Sequence, residues 1–145
     1  MKKNIKLLSL FALAITVIFS SCNGGDDPTP EEEKIDELSG TWAIVQANNE
    51  ALSGVSITFT ADNTTYSVSG LQVFTDANLN HNETLAASGT FSLNDNLDVV
   101  SLSPGGDLTI GSINKDNGNL TLNYSAPFPK ASDGATDITL SLELQ

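Results

Sequence analysis

The feature that most constrains the fold of this chain is an alternation of apolar and polar residues with a period of two. From residue 138 to residue 144 every second residue is Ile or Leu, and the residues between them are polar. Residues 55–59 and 120–124 repeat the pattern. Successive side chains of a β-strand point to opposite faces, so this pattern predicts strands with one buried face. Helical spacing is almost absent beyond Glu37, which predicts an all-β fold.

Sequences typical of turns, rich in Asn, Asp, Gly and Pro, separate the alternating segments. The predicted strands are 41–47, 55–61, 64–69, 86–93, 97–102, 107–113, 119–125 and 136–144. Their short, even connections predict a single antiparallel meander that closes into a small eight-stranded barrel and so removes its edges. An open β-sandwich is the alternative. A short helical turn around 31–38 would place Ile35 and Leu38 as a plug at one end of the barrel.

The first residues carry three lysines and then an apolar run from Leu7 to Phe19. As a helix this run reaches only about 20 Å, too short for a hydrocarbon core of about 30 Å. It therefore predicts a signal peptide over residues 1–21 rather than a membrane-spanning helix. Small residues at 20 and 21 lead directly into Cys22, the one cysteine of the chain.

The segment Phe19-Ser20-Ser21-Cys22 resembles the lipobox of bacterial lipoproteins, with phenylalanine where leucine is usual. The resemblance implies removal of residues 1–21, lipidation of Cys22 by diacylglycerol and palmitate, and anchoring to the outer membrane on its periplasmic or cell-surface face. The alternative is an ordinary secretory peptide that leaves a free thiol, a liability in an oxidising compartment.

Residues 22–36 are rich in glycine, proline and acid, which predicts a flexible tether. The acidic run that follows Cys22 also resembles the surface-export signal of Bacteroidota lipoproteins. The alternative is a solvated linker with no role in sorting.

The chain has a formal net charge of −12 and contains no arginine. Nucleic-acid binding needs a basic surface, which this composition cannot supply, so nucleic acid is excluded as a partner. With a single cysteine the chain cannot form an intramolecular disulfide, and its stability must come from a hydrophobic core. We expect a monomer whose contact with the membrane is the lipid on Cys22.

The segment Gly40-Thr41-Trp42, preceded by Ile35 and Leu38, resembles the entry motif of lipocalins. The strands 88–93 and 119–122 are similar to those of lipocalin-like domains in Bacteroidota lipoproteins. The resemblance implies a lipocalin-like barrel over residues 37–145, with Trp42 packed across its closed end. Lipocalins usually stack an arginine over this tryptophan, and here that partner is missing.

Two hypotheses for function follow, and neither is enzymatic. If the barrel interior is open, we expect it to bind a small apolar ligand through Trp42, Phe59, Tyr66 and Phe91. If the interior is filled by side chains, we expect a structural or interaction module that binds a protein or a glycan through its long loops 70–87 and 126–135.

Candidate chemistry in the loops is weak. Oxygen-bearing residues at 76, 78 and 80 have the spacing of a calcium loop, but His81 stands where an EF-hand needs glycine. His81 is the one histidine, so it has no partners for a zinc site, and no nucleophile motif accompanies it. The segment 127–129 presents Phe128 between two prolines, either as an anchor for its loop or as a contact for a partner. We predict no catalytic residues, no metal and no cofactor.

Overall fold

Strands dominate the described part of the chain. The structure is a computed structural model that describes residues 27–77, 79, 84–127 and 135–145. The strands are β1 Gly40–Ala47, β2 Glu50–Ala51, β3 Ser56–Thr60, β4 Thr65–Ser69, β5 Leu85–Leu93, β6 Val99–Gly105, β7 Asp107–Asn114, β8 Asn119–Pro127 and β9 Ala135–Leu144. The helices are α1 Pro30–Leu38 and α2 Gln72–Asp76, and a 3₁₀ turn covers Asp62–Thr64. The predicted signal peptide and Cys22 lie outside the described residues.

All strands belong to one antiparallel sheet, which closes because β1 also pairs with β9. The short β2 pairs with the end of β1 alone, so eight strands form the wall of the barrel. The prediction of an all-β, eight-stranded antiparallel meander barrel is confirmed, and the open sandwich is wrong. Each predicted strand corresponds to an observed strand with small shifts at its ends.

The two-residue period divides the wall into an apolar inner face and a polar outer face. On β3 the side chains of Ile57 and Phe59 are each 1% exposed. On the outer face, hydroxyl groups on neighbouring strands pair with one another. Thr41 and Thr58 are joined at 3.0 Å between their Oγ1 atoms, and Ser56 and Ser69 at 2.9 Å between their Oγ atoms. Such cross-strand pairs stabilise the sheet and fix its register.

The barrel has two ends of different construction. At one end, which we call the helix end, lie α1 and the turns around 61–64, 94–98 and 115–118. The opposite end, which we call the loop end, carries the connection 48–55, residues 70–77, the tight β6–β7 turn, the end of β8 and the start of β9.

Helix α1 begins at a capping box, in which Thr29 and Glu32 exchange hydrogen bonds between side chain and backbone. The segment from Pro30 to Asp36, which the sequence analysis places in the flexible tether and, from residue 31, also in a short helical turn, is helical in the structure. Two physical causes are visible: the capping box satisfies the first backbone donors, and the helix buries an apolar side on the barrel.

Leu38, fully buried, closes the helix end together with Trp42, also fully buried. The indole Nε1 of Trp42 donates a hydrogen bond of 2.6 Å to the carbonyl oxygen of Leu38. Ile35 packs against the same core. The plug predicted from Ile35 and Leu38 is therefore present.

Shortening the plug is expected to destabilise the whole barrel. Leu38→Ala should lower the free energy of unfolding by about 2–5 kcal/mol, because it removes buried apolar surface and leaves a cavity. The measurement is urea unfolding at neutral pH. Glu33→Ala, on the exposed side of the same helix, is the matched control and should change stability by less than about 0.5 kcal/mol. Equal midpoints for both variants would show that α1 does not close the barrel.

Candidate functional site

The four residues predicted to contact a ligand all lie inside the barrel. Their side chains are almost completely removed from solvent: Trp42 is 0% exposed, Phe59 1%, Tyr66 3% and Phe91 3%. The structure therefore brings them into one core, but as packed residues that touch other side chains.

Phe59, Tyr66 and Phe91 form an aromatic group on the consecutive strands β3, β4 and β5. Phe59 is the register partner of Tyr66 on the neighbouring strand. The rings of Phe59 and Phe91 meet edge to face, with centroids 5.2 Å apart and an interplanar angle of 78°. This is a favoured arrangement of aromatic pairs. The group fills space that a ligand would need.

The two tyrosines of the interior are held as neutral phenols. The hydroxyl of Tyr66 donates a hydrogen bond to the carbonyl oxygen of Pro104. Burial raises the pKa of Tyr66, and a backbone hydrogen bond with Ala86 partly opposes that rise. Burial also raises the pKa of Tyr124. Neither group ionises near neutral pH, so neither supplies a general base.

Phe74 is fully buried at the loop end of the barrel. It is carried by α2, a single helical turn, and its side chain is 0% exposed. Leu71, Val73 and Leu79 pack partly buried around the same core. The sequence analysis treats residues 70–87 as a surface loop for binding; Phe74 is a buried residue within it, and the binding role of the loop stays a prediction. The apolar residues at 71, 73 and 74 are the signal that could have identified a buried turn.

Gly70 locks the start of this turn against the rest of the loop end. Its φ is +74°, and a Cβ added there would lie 2.0 Å from the carbonyl oxygen of Gly54. Only glycine permits both this backbone conformation and this approach. The turn that carries Phe74 is therefore positioned by backbone contact with the connection between β2 and β3.

Three clefts open on the outside of the described wall. One, of about 450 Å³, lies across β7, β8 and β9, and we call it the wall groove; its lining residues are Thr109, Asn123, Tyr124, Ser125, Asp137 and Thr139. A second of about 420 Å³ lies between β1 and the β2–β3 connection, and a third of about 370 Å³ lies beside α1. Sequence reasoning missed the wall groove, because outward polar residues on a strand look alike whether or not a cleft lies between them.

His81, Asn78, Asn80 and Phe128 lie outside the described residues. Within the described ranges, no group of three or more His, Cys, Asp or Glu side chains is placed to hold a metal ion. Asp76 accepts a hydrogen bond of 3.1 Å from the Gln72 side chain. None of the helices described is both long enough and apolar enough to span a membrane.

Removing the buried ring of Phe74 at the loop end should destabilise the fold strongly. Phe74→Ala is expected to lower the free energy of unfolding by about 3–5 kcal/mol, since a fully buried aromatic ring is lost. Chemical denaturation measures the difference. The control is Gln72→Ala on the exposed side of the same turn, with an expected change below about 0.5 kcal/mol. If Phe74→Ala behaved like the control, Phe74 would not be part of the core.

The buried phenols predict a loss of stability at high pH. Tyrosines of the unfolded chain ionise near a pKa of about 10, whereas in the folded barrel the raised pKa values keep Tyr66 and Tyr124 protonated there. Above about pH 10 the unfolded state therefore binds fewer protons than the folded state, and the free energy of unfolding falls as pH rises.

In Tyr124→Phe one of these groups is gone, so the fall between about pH 9 and about pH 11 should be shallower than in the unsubstituted protein. Urea midpoints across this range give the comparison. Parallel curves for the two proteins would show that Tyr124 titrates normally in the folded state.

No model of a known protein family matches the chain, and no curated protein is significantly similar to it. The case for its function therefore depends on the residues and geometry described above.

Proposed function

We propose that the chain is a non-enzymatic, lipid-anchored lipoprotein of the outer membrane, whose solid barrel presents a binding surface to a protein or a glycan. The observation that carries this proposal is the closure of both ends of the barrel. Leu38 and Trp42 fill the helix end and Phe74 fills the loop end, all three at 0% exposure. Between them the aromatic group of Phe59, Tyr66 and Phe91 occupies the middle.

Anchoring through Cys22 is supported by the sequence before it. The apolar run 7–19 and the small residues at 20 and 21 have the order that a lipoprotein signal peptide needs. Two or more acyl chains on one residue give stable membrane attachment, whereas one chain is marginal. The anchor is also consistent with a domain that has its own closed core and exposes a polar wall.

The position of α1 orients the barrel relative to such an anchor. The tether reaches the domain at the helix end, so the loop end lies on the opposite side. Strands β8 and β9 have 9 and 10 residues, which separates the two ends by about 20–25 Å when strand tilt is included. The loop end would therefore point away from the membrane, together with the adjoining half of the wall, which we call the upper wall.

Charge affects how closely the helix end approaches the membrane and does not itself set the orientation. The first turn of α1 carries Glu31, Glu32 and Glu33. The turns at the helix end add Asp62, Asp95 and Asp116. Acidic groups facing anionic headgroups within a Debye length of about 8–10 Å repel them. The helix end would thus stand off the membrane and leave the rest of the surface accessible.

The alternative function is the binding of a small apolar ligand inside the barrel. The observation in its favour is the construction of α2, which has five residues and no side-chain hydrogen bond at its N-cap. So short a helix is not stable by itself and depends on the burial of Phe74. Outward movement of this turn would open the loop end of the interior.

A fluorescent fatty acid distinguishes the two functions. We expect no saturable binding to the full chain purified in mild detergent, because the interior is filled. Native mass spectrometry of the same material should show the lipidated protein without a further apolar molecule. Saturable binding at about micromolar concentration that is lost in Phe91→Trp would instead establish the ligand-binding barrel and overturn the scaffold.

The anchor is tested separately by labelling cells with a palmitate analogue. The protein should incorporate the label, and Cys22→Ser should abolish incorporation while a precursor of higher mass accumulates. Incorporation that persists in Cys22→Ser would place the lipid elsewhere. Ser21→Ala, which keeps a small residue before the cysteine, is the control that should remain labelled.

A further inference from the structure

The wall groove lies where strands β7 and β8 separate. The β7–β8 ladder ends at the pair Thr109 and Asn123. The β8–β9 ladder continues as far as Pro127 and Ala135. The groove therefore opens on the upper wall, on the loop-end side of that last β7–β8 pair, in the region that the proposed orientation turns away from the membrane.

A β-bulge in β7 makes room for the side chain of Asn123, which lines this groove. The register of β7 shifts between Ile110 and Ser112. At the intervening Gly111, an added Cβ would lie 2.9 Å from Nδ2 of Asn123 and 3.2 Å from Cγ2 of Thr121. Absence of a side chain at Gly111 thus leaves space for the Asn123 amide beside β7.

Hydrogen bonds fix the polar groups of the groove before any ligand arrives. The Thr139 hydroxyl donates to Oδ1 of Asn123 at 2.8 Å. The backbone of Thr139 is held in turn by Asn48, through bonds of 2.9 Å in both directions. Because Oδ1 of Asn123 accepts from Thr139, Nδ2 is the end of the amide that offers donors. Such preorganisation lowers the entropic cost of binding.

The lining selects a class of ligand by its chemistry. It combines two threonine hydroxyls, a serine hydroxyl, an amide and the carboxylate of Asp137. The described residues that line it include no lysine, and Asp137 would repel an anion. Apart from Tyr124, which is buried at 4% exposure, the lining holds no large apolar side chain, so an apolar ligand or the side-chain anchors of a peptide would gain little. The chemistry fits a neutral molecule with several hydroxyl groups.

We propose that the wall groove binds one or two residues of a neutral carbohydrate. Asp137 accepts hydrogen bonds from adjacent sugar hydroxyls, and Asn123 donates to a sugar oxygen. The groove volume of about 450 Å³ lies within the range of about 300–1,000 Å³ typical of small-molecule sites. This inference rests on the proposed surface-binding function and deepens it by naming the ligand class.

Amide chemical shifts of the ¹⁵N-labelled full chain in detergent micelles provide the test. The probes are the methyl glycosides of mannose, galactose, glucose and N-acetylglucosamine, each added to about 20 mM to detect dissociation constants near 1–10 mM. At least one should shift the amides of Asn123, Ser125, Asp137 and Thr139. The amide of Ser67, on another part of the wall, should not move.

Substitutions assign the binding to named groups. Asn123→Ala and Asp137→Asn should each weaken binding of the active glycoside about tenfold, the effect of losing about one hydrogen bond to a polar or charged group. Ser67→Ala is the matched control and should bind as the unsubstituted chain does. Ser125→Arg places a long side chain in the groove from an exposed position and should abolish binding without disturbing the core, a result that does not depend on the folding of the first two variants.

The outcomes distinguish failure of the carbohydrate site in the wall groove from failure of the proposed surface-binding function. Shifts confined to residues 48–55 or 70–77 would overturn the wall groove as the site and leave surface binding intact. Absence of any shift with all four glycosides would overturn the carbohydrate assignment. Failure of the proposed function itself would appear differently, as shifts of Phe59, Tyr66 and Phe91 with the fatty acid.

Discussion

Pairing of β1 with β9 is the constraint on which the rest of the structure depends. It runs from Trp42 opposite Leu144 to Ala47 opposite Leu140 and converts an open meander into a closed barrel. Closure satisfies the backbone groups of both outer strands and encloses the apolar faces of all eight. The chain has one cysteine and so no internal disulfide; the closed core must supply the stability that many small exported domains draw from disulfides.

The helix end shows how a barrel can be closed around a tryptophan without arginine. The lipocalin resemblance implies an arginine stacked over Trp42, and this chain contains none. In the structure the indole N–H is satisfied by the Leu38 carbonyl of α1. Lys115, at the β7–β8 turn, donates to the carbonyl of Asp36 near the end of the same helix. A cation near a helix C-terminus is favoured by the helix dipole, so the basic residue here holds α1 in place instead of covering the ring.

The strands could be predicted from the sequence because each has a local alternation of apolar and polar residues. The two ends of the barrel could be predicted only in part. Ile35 and Leu38 predict a plug because they have helical spacing and lie directly before the first strand. The apolar residues at 71, 73 and 74 are a weaker signal for the burial of Phe74, because they form no repeating pattern, and this burial depends on contacts such as that of Gly70 with Gly54. The wall groove depends on where the β7–β8 ladder ends, which is a property of the register of three strands.

The contrast between two parts of the outer wall explains why binding is assigned to one of them. On β1, β3 and β4 the hydroxyls meet in pairs, Thr41 with Thr58 and Ser56 with Ser69, and so use their hydrogen-bonding capacity on each other. On β7, β8 and β9 such pairs also occur, Ser112 with Thr121 and Thr139 with Asn123, but the β7–β8 ladder contains a bulge and ends at Thr109 and Asn123. Beyond that point the wall groove opens beside Asn123, which stays paired with Thr139, and Asp137. Because the core is filled by its own side chains, the recognition that we propose falls to the outer surface, and this surface has a groove where the β7–β8 ladder ends.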